Sequence, residues 1–246
     1  MTSGRGAAIL RAVCFWDRLM NPFRTSLLAL SVLSLASGCQ LFGLDDREFE
    51  INLPEILVGP VQFKGSLLRQ QHCPPADQLG SMEGELSVPI AQGLATDLLA
   101  DDQAGIGEYV DRINGVTISK IEYRIGLNTI RKDLEPIGIY FGPFRDDFDP
   151  TAIDLEKETS SEPGGYGAAE YGSTRVIEEG STTDEVFVPV LQNQSGQARV
   201  RQYLSSFRFT TLFGTNLTLS PSDCEKLGGD LEIEARISIV LFVEPI

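Results

Sequence analysis

The stretch LEIEARISIVLFV, residues 231–243, decides the fold. Leu231, Ile233, Ala235, Ile237, Ile239, Leu241 and Val243 alternate with Glu232, Glu234, Arg236 and Ser238. Successive side chains on a strand point to opposite faces, so this period of two predicts a long strand with one buried and one wet face. Val240 and Phe242 make its end apolar on both faces, and Gly228-Gly229-Asp230 marks its start.

The same alternation recurs further back along the chain. Phe207, Phe209, Thr211 and Phe213 predict the preceding strand, followed by Gly214-Thr215-Asn216 and a short segment over Leu217–Leu219. Phe49, Ile51 and Leu53 predict the first strand, which Pro54 ends or confines to an edge. In the middle, Val116 and Ile118 alternate on even numbers, whereas Ile121, Tyr123 and Ile125 alternate on odd ones. A single strand accommodates both sets only with a bulge between them. Ile137, Ile139 and Phe141 mark another strand, and Val186–Leu191 one more. Helical spacing is confined to three short segments: Val88–Leu99, Gly107–Ile113 and Gln197–Ser205. Antiparallel sheets with one solvated face alternate in this way. The predicted class is therefore mainly β, an antiparallel β-sandwich, immunoglobulin-like or similar, with a few short helices. Residues 157–184 are rich in Gly, Ser, Thr and Glu and poor in core formers, which predicts a long mobile loop across one domain spanning 48–246. No repeat of fixed period is visible.

Charge narrows the choice of partner. The chain of 246 residues carries a formal net charge of -15. Residues 1–39 hold four arginines and one acid, which leaves 16 basic and 34 acidic residues, a net of -18, for the remainder. So acidic a body repels phosphate backbones, which argues against a nucleic-acid partner. It also repels anionic headgroups, so attachment through a basic face is excluded, and a membrane location requires a covalent anchor.

Such an anchor is suggested by residues 20–40. Arg24 precedes the apolar run TSLLALSVLSLA at 25–36, and the small residues Ala36, Ser37 and Gly38 lead into Cys39. The run is too short to span a bilayer but has the length of a signal-peptide core. This pattern resembles the lipobox of bacterial lipoprotein precursors, with Ala36 where that family more often has Leu. The resemblance implies a signal peptide over 1–38 and diacylglycerol with further acylation such as palmitate on Cys39. It also implies a lipidated tether over 39–47 and, with Gln40 after the cysteine, a bacterial cell-envelope location at the outer membrane. Separately, MNPFRTSLLAL from Met20 is a compact charged-then-apolar leader, whereas charges interrupt residues 1–19, so Met20 is the expected alternative to Met1 as the start. Two or more acyl chains hold a protein durably where one does so marginally. Cys14 and Trp16, the sole tryptophan, would then be lost from the mature chain.

With Cys39 lipidated, Cys73 and Cys224 remain as an even pair in an oxidising compartment, and both sit beside turn signals. A disulfide is the expected state; a reactive or metal-binding thiol helped by His72 is the alternative. His72 is the single histidine. No Gly-x-Ser-x-Gly elbow, Ser-x-x-Lys pair or P-loop accompanies it, so His72 is expected to be a surface or packing residue. Gly164-Gly165-Tyr166-Gly167 is loop composition without the helix amides that phosphate binding needs. The sequons at Asn193 and Asn216 are coincidental in a bacterial lipoprotein. Asp147, Asp149 and Asp154 lie in the acidic run Arg145–Glu156 and are the weak candidates for calcium, which needs several converging oxygens. No other cofactor is expected.

These observations predict a non-enzymatic envelope lipoprotein with a binding or structural role, its partner a protein or glycan. An anchored hydrolase using a carboxylate pair is one alternative. A structural subunit of an envelope secretion or transport assembly is the other.

Overall fold

The computed structural model describes residues 49–81, 84–100, 106–107, 109–150 and 152–244. The signal peptide, the Met20 start, Cys39 and the tether lie outside the described residues.

The described residues form ten strands in chain order: β1 (Phe49–Asn52), β2 (Ile56–Lys64), β3 (Leu86–Asp97), β4 (Ile113–Asn128), β5 (Gly138–Pro143), β6 (Ala169–Ser173), β7 (Val188–Pro189), β8 (Leu191–Gln192), β9 (Arg208–Leu219) and β10 (Asp230–Val243). Among the described residues four α-helices lie between them: α1 (Gly65–His72), α2 (Leu155–Thr159), α3 (Gln197–Leu204) and α4 (Pro221–Lys226). All ladders are antiparallel. They form two five-stranded sheets, so the mainly β, antiparallel sandwich expected from the alternation is what the chain adopts.

The stretch quoted at the outset is β10, and it organises the first sheet. β4 pairs along one side of it; β2 and β1 pair with successive parts of the other. Its odd-numbered side chains from Leu231 to Val243 are at most 2% exposed. They meet Ile139, Phe141, Phe209 and Phe213 of the second sheet, ordered β3-β9-β5-β6-β8, in one apolar core. The conflict of parity in β4 is resolved as the sequence requires. Ser238 pairs with Lys120 and Ile239 with Ile118, so Ser119 is the extra residue that flips the alternation.

Other segments depart from the sequence reading. Val88–Leu99 carries helical spacing yet forms most of β3, matched residue for residue to β9. Val88 and Ile90 are buried while Pro89 is exposed, a placement suited to an edge strand and hostile to a helix interior. Gly93 belongs here because a Cβ would meet Leu212 at 2.6 Å and the Phe148 ring at 2.8 Å. Gly107–Ile113 yields only a 3-10 turn over Val110–Arg112; the helix at 197–205 forms as α3. Val186–Leu191 is two pieces rather than one strand. β7 pairs with β4 in the first sheet, β8 pairs with β6 in the second, and buried Val190 marks the crossing. The break expected at 214–216 is absent, since β9 runs through it. Within 157–184, β6 buries Tyr171, and Ile177 bridges to Leu134, so part of the expected loop is sheet.

Candidate functional site

Between the edge of each sheet lies a cleft of about 460 Å³. β2 supplies Gln62 and Lys64, α1 supplies Leu67 and His72, and β3 supplies the segment Pro89–Gln92. Each wall has a local cause. α1 begins at Gly65 because its N–H donates to the Gly229 carbonyl at 2.7 Å, and a Cβ there would strike the Gly228 carbonyl oxygen at 2.7 Å. Leu68 turns into the core and leaves Leu67 exposed toward the cleft. The helix ends at His72, and Cys73 is bonded to Cys224 with Cα atoms 5.6 Å apart. Cys224 sits fully buried in α4, whose first turn is a capping box. The Ser220 hydroxyl accepts from the Asp223 N–H, and the Ser220 N–H donates to the Asp223 carboxylate. The disulfide therefore ties the helical wall of the cleft to the end of β9. Burial by itself would raise the Asp223 carboxyl, but hydrogen bonds from Ser220 and Lys132 outweigh it and hold it below its usual value.

The acidic run does not converge. Asp154 caps α2 by accepting from the Glu156 and Lys157 N–H groups at 3.1 and 3.2 Å. Asp147 and Asp149 are exposed, and Asp146 reaches Arg208 at 3.6 Å. Among the described residues no group of three or more His, Cys, Asp or Glu could hold a metal ion. The run folds instead around Arg145, whose guanidinium lies 3.6 Å from the Tyr166 ring centroid and donates to Glu158 at 2.7 Å. Glu158 is only 7% exposed, and Arg145 is its neutralising partner.

The buried acids of the first sheet are matched likewise. On its outer face, register sets Glu234 against Arg124 and Glu122 against Arg236. Both pairs close to 2.6 Å, and Phe187 lies beneath the two guanidinium groups at 5.1 and 4.3 Å. Burial would raise the Glu122 carboxyl, yet hydrogen bonds from Arg236 and Lys120 prevail and lower it. A carboxyl depressed in the folded state stabilises fully above its unfolded value, about 4.3 for Glu, and that contribution is lost as pH falls through the lower folded value. Glu122→Gln should therefore unfold at a lower denaturant concentration than the parent at pH 7. The gap should shrink as pH drops below about 4, and guanidinium titrations at a series of pH values check this.

Clefts between described residues offer little acid–base chemistry. The broad cleft has no carboxylate in its lining. A second, on the outer face of the second sheet, has one, Glu156; those beside the disulfide and at the foot of β4 have none. The broad cleft carries only one signal in the sequence: no acidic residue occurs from Ile56 to Ala76. No described helix is long and apolar enough to cross a membrane.

No family model matches the chain, and no curated protein matches it. Several solved structures do. A cryo-EM structure of Mud crab tombus-like virus covers 88% of this chain and 98% of its own, at 15% identity and a TM-score of 0.30. Desmodium yellow mottle tymovirus covers 100% and 97%, at 8% identity and 0.31. A Macrobrachium rosenbergii nodavirus semi-empty VLP covers 100% and 95%, at 11% and 0.33. At these values the likeness carries no argument about what this chain assembles into. The function expected from the leader is nevertheless corrected. The structures named above are viral and none is an envelope lipoprotein, so the anchored binding role and its hydrolase and transport-complex alternatives have no counterpart among them.

Proposed function

We propose that this chain is a non-catalytic structural domain that works by contact with other polypeptides. The observation that carries this reading is the pairing of its buried acids. Glu122, Glu158 and Glu234 each face an arginine within 2.7 Å, so none is poised as a general acid or base. Perturbed groups elsewhere have structural causes. Tyr140 and Tyr171 are both raised, chiefly by burial within the second sheet. The accessible chemistry of the two sheets, cross-tied by the disulfide, is their strand edges and open clefts.

The test is a turnover screen of the purified chain against chromogenic glycosides, phosphate esters and carboxylic esters. The expected result is no hydrolysis above buffer. Turnover that Glu156→Gln or Glu122→Gln abolishes would overturn the reading.

A further inference from the structure

We propose that the cleft between β2, α1 and β3 receives an extended, acidic polypeptide segment that adds to the free edge of β3. This deepens the reading of a polypeptide-contacting domain and rests on it.

The first support is the backbone. Among the described strands β3 pairs with β9 alone, so its other edge carries unpaired N–H and C=O groups, which template the addition of a strand. Pro89 has no N–H to give to β9, so its nitrogen faces away from the ladder. Ala91, two residues on, shares that orientation, and both line the cleft.

The second support is charge. The cleft is lined by Lys64 and His72 and by no acid; no acidic residue occurs from Ile56 to Ala76, and β3 has none before Asp97, in a chain whose acids outnumber its Lys and Arg 35 to 20. Six cations elsewhere, Lys120, Arg124, Lys132, Arg145, Arg208 and Arg236, are held in ion pairs. Lys64 forms none among the described residues. A basic segment would meet this unmatched cation and be repelled, whereas an acidic one neutralises it.

The third support is shape. The cleft floor is apolar, with Phe63, Leu68 and Ile90 beneath Leu67, Pro89 and Ile153. An extended segment places alternate side chains down into such a floor and up toward solvent. The occupant is thus a strand with apolar residues at every second position and acids between them.

The probes are a fluorescein-labelled peptide TEVDVET, its counterpart TKVKVKT, and TEVDVET N-methylated at alternate residues. Fluorescence anisotropy is read against the full chain and a Lys64→Glu variant whose melting temperature is first shown to match the parent. The proposal expects TEVDVET to bind at least tenfold tighter than TKVKVKT, N-methylation to abolish binding, and the Lys64→Glu variant to weaken it at least tenfold. Amide shifts on binding should centre on Ile90–Gln92. Equal binding of both peptides, indifference to N-methylation, no binding, or shifts confined to other strands would each overturn it. None of these results bears on the turnover screen, so the broader reading stands or falls separately.

Discussion

Replacing both Cys73 and Cys224 by serine should lower the unfolding free energy by roughly 5 kcal/mol, the chain-entropy value for a loop of this size. The two cysteines are 151 residues apart, and the loop they close includes every strand from β3 to β9. A covalent tie of that reach removes a large share of the unfolded chain's freedom. Domain stabilities are about 5–15 kcal/mol, so the variant should sit close to the folding threshold. Equilibrium guanidinium unfolding under oxidising conditions provides the check, with the parent measured with and without dithiothreitol. The reduced parent should fall to the level of the double variant. Replacing Cys73 alone breaks the same bond and should cost a similar amount, with α1 still held to the sandwich through Leu68 and the Gly65–Gly229 hydrogen bond.

Phe209→Ala should cost about 3–5 kcal/mol, the range for emptying a buried aromatic site. Phe209 is fully buried in β9, its ring 5.9 Å from that of Phe141 at an interplanar angle of 61°. Phe141 in turn meets Tyr171 edge-on at 6.5 Å. The strands β9, β5 and β6 are fixed by ladders, so the space left by the ring cannot close by a simple shift of one side chain. Phe209→Leu should cost less than half as much, since most of the volume is restored. Thermal and guanidinium unfolding of the two variants side by side distinguish a cavity effect from a general loss of packing.

The legibility of this fold follows from how each strand is buried. β10 and β4 have one wet face, so their alternation survives in the sequence, and even the Ser119 bulge could be anticipated from the change in parity. β3 hides its identity because Leu212 and Phe148 cover its outer face at Gly93, which requires glycine where a strand ordinarily shows a polar side chain. β6 is short and takes glycine at 172 because a Cβ there would overlap the Leu191 carbonyl oxygen, a demand invisible without the partner strand. The cleft is a meeting of β2 and β3 through sheets that have no ladder between them, and only its lack of acids is written locally. Asp147, Asp149 and Asp154 looked like a cluster because they are close in sequence. The capping duty of Asp154 and the turn around Arg145 set them apart.

Amide hydrogen exchange followed by NMR tests the central claim most directly: β10 is flanked on both sides while β3 leaves one edge open. The account predicts the slowest exchange along β10 from Leu231 to Leu241, at the rate of global unfolding. It predicts an alternation along β3, with Ile90 and Gln92 protected by β9 while Ala91 and Gly93 exchange quickly. Uniform protection along β3, or exchange of β10 at the rate of its connecting loops, would contradict it.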